Sequence, residues 1–304
     1  MKKKFTLLLW VLLVFYFPAS SFGEETIRLA TEEYPPYTSE KLKYYGLATR
    51  IVTDAFALEG VKTKYGFFPG ARAFLEAKIG NWDGSHIWAK KKDRLKFFYY
   101  TDPLLSEYDS VFFHKKSFDF SKFSYDPKSE NFDSLKGLRI GAFIGYDYGE
   151  AFEKAEKSKI ITVHRVSKYR QNFMMLLYDR IDLFVANKIV GYFYLSQEFE
   201  PKQTELITDS LRRNKASSYY LILSKKVEKN KYYLKVFNRG LKRLKESAKY
   251  DQYFEDLRKG EYLKKEYVFN NDHGGKKTFR LGSFNIDVIT SILHGFDTFP
   301  CNEI

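Results

Sequence analysis

Apolar positions along the chain change period repeatedly, and the changes predict its elements. Residues 26–31 alternate, as a strand does when only one face is fully covered. Leu47, Ala48, Ile51, Val52, Ala55 and Phe56 then share one face of a helix that Gly60 closes. Residues 62–68 return to strand character, and residues 71–79 form an amphipathic helix stopped by Gly80. Ser85-His86-Ile87-Trp88 is a short apolar strand, Lys90–Arg94 a basic loop, and residues 97–100 a further strand halted by Asp102-Pro103. This strand–helix alternation predicts a parallel sheet covered on both faces. Residues 111–114 are strand-like, and residues 117–133 turn polar and aromatic, as a crossing and a loop would. A second set follows: strands at 138–143, 160–166 and 181–186, and helices at 150–157, 169–178 and 189–195. After Leu206 come a strand at 217–224, a long helix at 233–248 with Val236, Gly240, Leu241, Leu244 and Ala248 on its buried stripe, and a last helix at 250–263.

The pattern predicts two α/β sets. Residues 266–304 fall outside it as an extension without an assigned role, with a short strand or helix at 284–293 and a lone His273 that makes no metal site.

Charge and composition refine this picture. Lys2-Lys3-Lys4, an apolar run over 5–17 and small residues up to Gly23 predict a secretory signal peptide at 1–23. The run is shorter than the roughly 20 residues a membrane span needs. No cysteine follows it to carry a lipid anchor, and the lone Cys301 gives no internal disulfide framework, so an exported, soluble chain is expected. Losing Lys2, Lys3 and Lys4 takes the formal charge from +13 to +10. The positive residues are scattered, with no basic helix and no nucleic-acid motif, so a solvated basic surface is the reading and nucleic acid is not an expected partner. The 29 Phe and 24 Tyr are more than a core alone suggests, and they can wall a small-molecule cleft.

Several segments carry candidate chemistry. Tyr34-Pro35-Pro36-Tyr37 is an extended loop presenting two tyrosines. Arg72 in the first turn of a helix opposes the helix dipole, for which an anionic ligand group is one reason and simple exposure another. Gly141, Gly145 and Gly149 lie four apart and do not make a dinucleotide fingerprint, although a glycine turn entering a helix brings N–H groups toward an anion. Gly80-Asn81-Trp82-Asp83, then Arg94, then Asp102-Pro103 eight residues on, resembles the ligand-gripping stretch of bacterial family-3 extracellular solute-binding proteins, of the polar amino-acid ABC-transporter type. Arg180-Ile181-Asp182 through Asn187 is similar to a second segment of that family, and the resemblance spans residues 26–265.

The resemblance implies a type II periplasmic-binding-protein-like fold, each lobe a mainly parallel sheet flanked by helices, closing on a small polar, carboxylate-bearing solute. It implies that the two α/β sets form two lobes, the first discontinuous: residues 24–113 with 207–265, and residues 114–206, joined by crossings near 113–117 and 206–216. Arg94 would pair with the carboxylate, Tyr34, Tyr37, Trp88 and Ala89 would wall the first lobe, and Gly145, Tyr146 and Asn187 would close the second. It further implies a monomer without cofactor that hands its solute to an inner-membrane ABC permease. The chain departs from the family where Asn187 replaces the aspartate that takes a ligand ammonium, where Tyr146 and Asp147 replace hydroxyl residues, and where Ile87 and Ala89 flank Trp88. Two other readings stay open: a dehydratase- or lyase-like enzyme, for which Glu33, Asp83 and Asp147 are the candidate carboxylates, and a sensor without a transporter. His86 and His164 lie in apolar strands and read as core or cleft-edge residues.

Overall fold

The computed structural model describes residues 25–107, 109–119, 122, 131–144, 146, 148–210 and 217–263, and the backbone of strands Glu266–Asn270 and Lys276–Arg280. The signal peptide, Gly145, Asp147, His273 and residues 284–293 lie outside the described residues.

Two five-stranded sheets are built on one plan. In the first, β1 (Thr26–Thr31) pairs in parallel with β2 (Lys62–Phe67) and β3 (Gly84–Ala89). Next comes β10 (Ser217–Ser224), arriving from the other lobe and antiparallel to both β3 and the edge strand β4 (Phe98–Glu107). In the second, β6 (Arg139–Phe143) pairs in parallel with β7 (Thr162–Val166) and β8 (Leu183–Asn187). Here the arriving strand is β5 (Asp109–His114), antiparallel to β8 and to β9 (Ile207–Asp209). The sheets are therefore mixed, because the strands that change lobes enter each sheet against its grain.

Helices α1 (Leu47–Ala57), α2 (Gly70–Ile79), α7 (Asn230–Lys245) and α8 (Ala248–Arg258) cover the first lobe. Helices α3 (Glu150–Lys157), α4 (Tyr169–Leu177), α5 (Lys188–Glu198) and the short α6 (Pro201–Thr204) belong to the second. On α1 the buried residues are those its period predicts, and Phe56 packs on Phe237 of α7 at 4.9 Å between ring centres. One apolar core runs from Ile27 and Leu29 through Leu104 and Leu105 to Phe112, Phe143 and Phe184, so it is continuous across the crossing. Among the described residues no helix is long and apolar enough to cross a membrane.

Each lobe is pinned by the same device. Asp83, just ahead of β3, accepts the backbone N–H of Arg28 at 2.7 Å and its guanidinium at 3.0 Å. Asp182, just ahead of β8, accepts the backbone N–H of Arg139 at 2.7 Å and its guanidinium at 2.7 Å. Asp83, a candidate carboxylate for an enzyme, is thus the twin of a strand-pinning aspartate and lies in an ion pair.

Two sequence expectations are corrected here. Asp102-Pro103 does not halt a strand: β4 runs through to Glu107. Pro103 is tolerated because β4 is an edge strand and its pairing with β10 slips between Tyr219 and Tyr220, where a missing N–H breaks no ladder. Because β4 continues, the first crossing falls at 107–109, and β5, expected in the first lobe, belongs to the second sheet.

Candidate functional site

The C-terminal ends of β1, β3, β6 and β8 carry the candidate loops, which is where open α/β sheets bind ligands. After β1 the chain makes a tight turn rather than an extended loop. Tyr34 N–H donates to the Thr38 carbonyl at 2.8 Å, and Tyr37 N–H to the Tyr34 carbonyl at 3.1 Å. The turn also serves α1, whose first N–H groups, of Leu47 and Ala48, donate to the carbonyls of Pro36 and Tyr37. Only glycine suits position 46, at φ 96° with a Cβ that would stand 2.5 Å from the Tyr37 carbonyl. Tyr37 is fully enclosed, and Tyr34 stacks on it at 5.9 Å with an interplanar angle of 25°.

From the second lobe, Asn187 ends β8 and caps α5, its Oδ1 accepting the Val190 N–H at 3.0 Å. Its Nδ2 is buried without a hydrogen-bond partner, and so is the Tyr37 hydroxyl. The two groups come from opposite lobes. The Tyr37 hydroxyl lies beside both the Glu107 carboxyl and the Asn187 amide, with neither aligned for a hydrogen bond.

The crossing supplies the charge. Asp109 is the register partner of Asn187, so their side chains share a face of the second sheet. Burial raises the Asp109 carboxyl. Burial also pushes Glu107 up to about 8, with Asp109 adding to the shift and Tyr37 opposing it. Glu32, at the end of β1, is pushed by burial up to about 7. Its carboxylate lies close over Gly70, 2.1 Å from where a Cβ there would stand. Among the described residues no cation acts on these three carboxyls.

Tyrosines surround them. Burial, then the nearness of Tyr169, Tyr219, Tyr146 and Asp109, holds the Tyr34 phenol far above its ordinary range. Burial, then Glu32 and Asp109, raises Tyr146, and burial, then Asp109 and Glu107, raises Tyr219. Tyr146 packs on Phe143 at 4.9 Å while 46% of its surface stays exposed, which places it at the rim. Tyr169 is held edge to face by Phe184 and stacked flat on Tyr194 at 4.5 Å.

Of the residues nominated from sequence, Tyr34, Tyr37, Tyr146 and Asn187 come together here. Arg94 lies in a 3-10 turn (Lys92–Arg94) folded back on β3, donating to the Ala89 carbonyl at 3.2 Å. Its guanidinium covers Trp88 at 5.1 Å and Phe74 at 5.2 Å. Trp88 donates to Ser85 at 2.7 Å and packs with Phe74 and Phe98, while Ala89 opposes Tyr219. Arg72 has a side chain 63% exposed and pairs with Glu76 one turn along. Glu33 accepts the Glu40 N–H at 2.9 Å. His86 is core, bonded to Thr49 Oγ1 at 3.1 Å and lowered by burial to about 3.

Ile87 is the strained point of β3. Its φ of 68° is a left-handed conformation that a β-branched side chain resists, at a place where His86 and Ile87 face the single Leu221 of β10. Glu107, Asp109, Tyr169 and Tyr219 were not foreseen as site residues. The available cue was a pair of carboxylates within the apolar stretch from Leu104 to Phe113. Among the described residues no cluster of three or more His, Cys, Asp or Glu could hold a metal ion.

No family model matches the chain, and no curated protein does. Solved structures do. An ancestral arginine-binding protein bound to arginine superposes with a TM-score of 0.60 at 20% identity, over 76% of this chain and 97% of that one. A histidine kinase sensor domain with similarity to periplasmic binding proteins gives 0.60 at 15% identity, over 79% and 97%. The substrate-binding protein of an amino acid ABC transporter gives 0.56 at 21% identity, over 76% and 98%. The chain therefore has the two-lobed periplasmic-binding-protein fold.

Proposed function

We propose that this chain is an exported, periplasmic solute-binding protein that closes its lobes on one small polar molecule at the crossing. The observation that carries the reading is the pair of enclosed polar groups without an aligned partner, the Tyr37 hydroxyl and the Asn187 amide, brought together from opposite lobes with the buried Glu107 carboxyl beside Tyr37. Unpaired buried polar groups cost free energy, and a ligand that satisfies them recovers it. Contacts to both lobes favour the closed arrangement. An inner-membrane ABC permease is the partner that the family resemblance suggests, and a sensor role is the variant that the kinase sensor domain's fold suggests.

The test is a thermal-shift screen of the purified protein against amino acids, small carboxylates, amines and aromatic solutes. A ligand at a thousand times its dissociation constant adds about 4 kcal/mol. Over a chain of this size that is a rise of roughly 8–16 °C. No rise with any class would refute the reading.

A dehydratase- or lyase-like enzyme has one argument in its favour: Glu107 is buried at the crossing, and that burial raises its carboxyl to about 8, a value suited to a general acid near neutral pH. Mass spectrometry of each hit after incubation separates the two, since a binding protein returns its ligand unchanged.

A further inference from the structure

We propose that the solute is a small organic cation, bearing an ammonium or guanidinium group and needing no carboxylate. The inference rests on the solute-binding reading and names the ligand class of the same site. The chain as a whole is strongly basic, so a site of opposite sign must be built locally. Glu107 and Asp109 supply that sign at the point where the chain changes lobes, with no cation among the described residues acting on either. Lys188, which follows Asn187 in sequence, is turned to Asp209 at 3.2 Å.

The surroundings suit a cation as well. Tyr34, Tyr146, Tyr169 and Tyr219 converge on Asp109 from both lobes, and ring faces attract a desolvated cation held within about 6 Å of their centres. The two orphan donors complete the arrangement. A cation beside Glu107 lets its carboxyl release the proton that burial holds there. The resulting carboxylate then accepts from the Tyr37 hydroxyl beside it, whose oxygen can in turn accept from the Asn187 amide. Among the described residues a solute carboxylate has no comparable place. It would enter beside acidic groups, while Arg94 is folded onto Trp88, Phe74 and the Ala89 carbonyl.

The test is isothermal titration calorimetry of the purified protein with matched pairs: agmatine against arginine, cadaverine against lysine, and tetramethylammonium against glutarate. The expected result is that at least one cation binds more tightly than its carboxylate-bearing partner, with protons released into the buffer. Asp109→Asn and Glu107→Gln should each weaken that binding by roughly thirtyfold or more. Both variants relieve a buried acid, so an undiminished melting temperature would show that lost binding is not lost folding. Tighter binding of arginine, lysine or glutarate, lost in Arg94→Ala, would overturn the inference and leave the solute-binding reading intact. A cation whose binding is indifferent to Asp109 and Glu107 would also overturn it. Silence from these probes and from the wider screen would sink both.

Discussion

Tyr37→Phe removes a buried hydroxyl that makes no aligned hydrogen bond. The side chain has no exposed surface, and its oxygen has no hydrogen-bond partner. A hydroxyl buried in that way costs about 1–3 kcal/mol, and phenylalanine keeps the ring that stacks on Tyr34. Some of the gain is offset by the contacts the oxygen makes, so the variant should be more stable by about 1 kcal/mol. For a chain of this length that is a rise of roughly 2–4 °C in melting temperature. Urea unfolding of both proteins measures the difference. Ligand binding should move the other way, weakening by about 0.5–1.5 kcal/mol, because the bound state is where the hydroxyl finds its acceptor. A variant destabilised by about 1 kcal/mol or more would show that the hydroxyl is already satisfied. Unchanged affinity would show that it does not face the solute.

Raised carboxyls make the folded protein bind more protons than its unfolded chain, so stability should fall as pH rises. The fall should begin above the ordinary carboxylate range and continue through about 7 for Glu32 and about 8 for Glu107. Urea midpoints at pH 5 and pH 8.5 measure it, and Glu107→Gln should flatten the upper part of the slope. Asp83→Ala and Asp182→Ala should each cost about 2 kcal/mol in chemical denaturation, since both lose a charge-assisted bond to a backbone N–H as well as a half-exposed ion pair. Ligand affinity, measured by calorimetry, should stay within about threefold of the parent, because neither residue reaches the cleft. Asn187→Ala should cost about 1 kcal/mol through the lost α5 cap and should also weaken binding, whereas Asn187→Asp keeps the cap. Equal stability of the alanine and aspartate variants would contradict the capping role.

Most of the fold was legible because its signals are local. The apolar stripe of α1 and the returning strand β10 are set by residues close in sequence, and tertiary packing agrees with them. What the sequence concealed depends on position within a sheet. Proline stops a central strand but not an edge strand at a bulge, and which of these β4 is cannot be read before the sheet order is known. Misplacing that strand's end left Glu107 and Asp109 unremarked, although they stand where the chain passes from one sheet to the other. Tyr34, Tyr37 and Asn187, nominated on loops at strand ends, do lie together in the structure, because such loops gather at one end of each sheet. Arg94 was nominated by spacing, and spacing does not determine whether a guanidinium faces a cleft or lies on a tryptophan.

The most direct test of the account is amide hydrogen exchange with and without saturating agmatine. A solute held at the crossing should slow exchange on both sides at once, in the Tyr34–Thr38 turn and at Val190 behind Asn187. Slowing in one lobe alone, or only around the surface depression lined by Arg50, Asp256 and Tyr262, would contradict a site shared between the lobes.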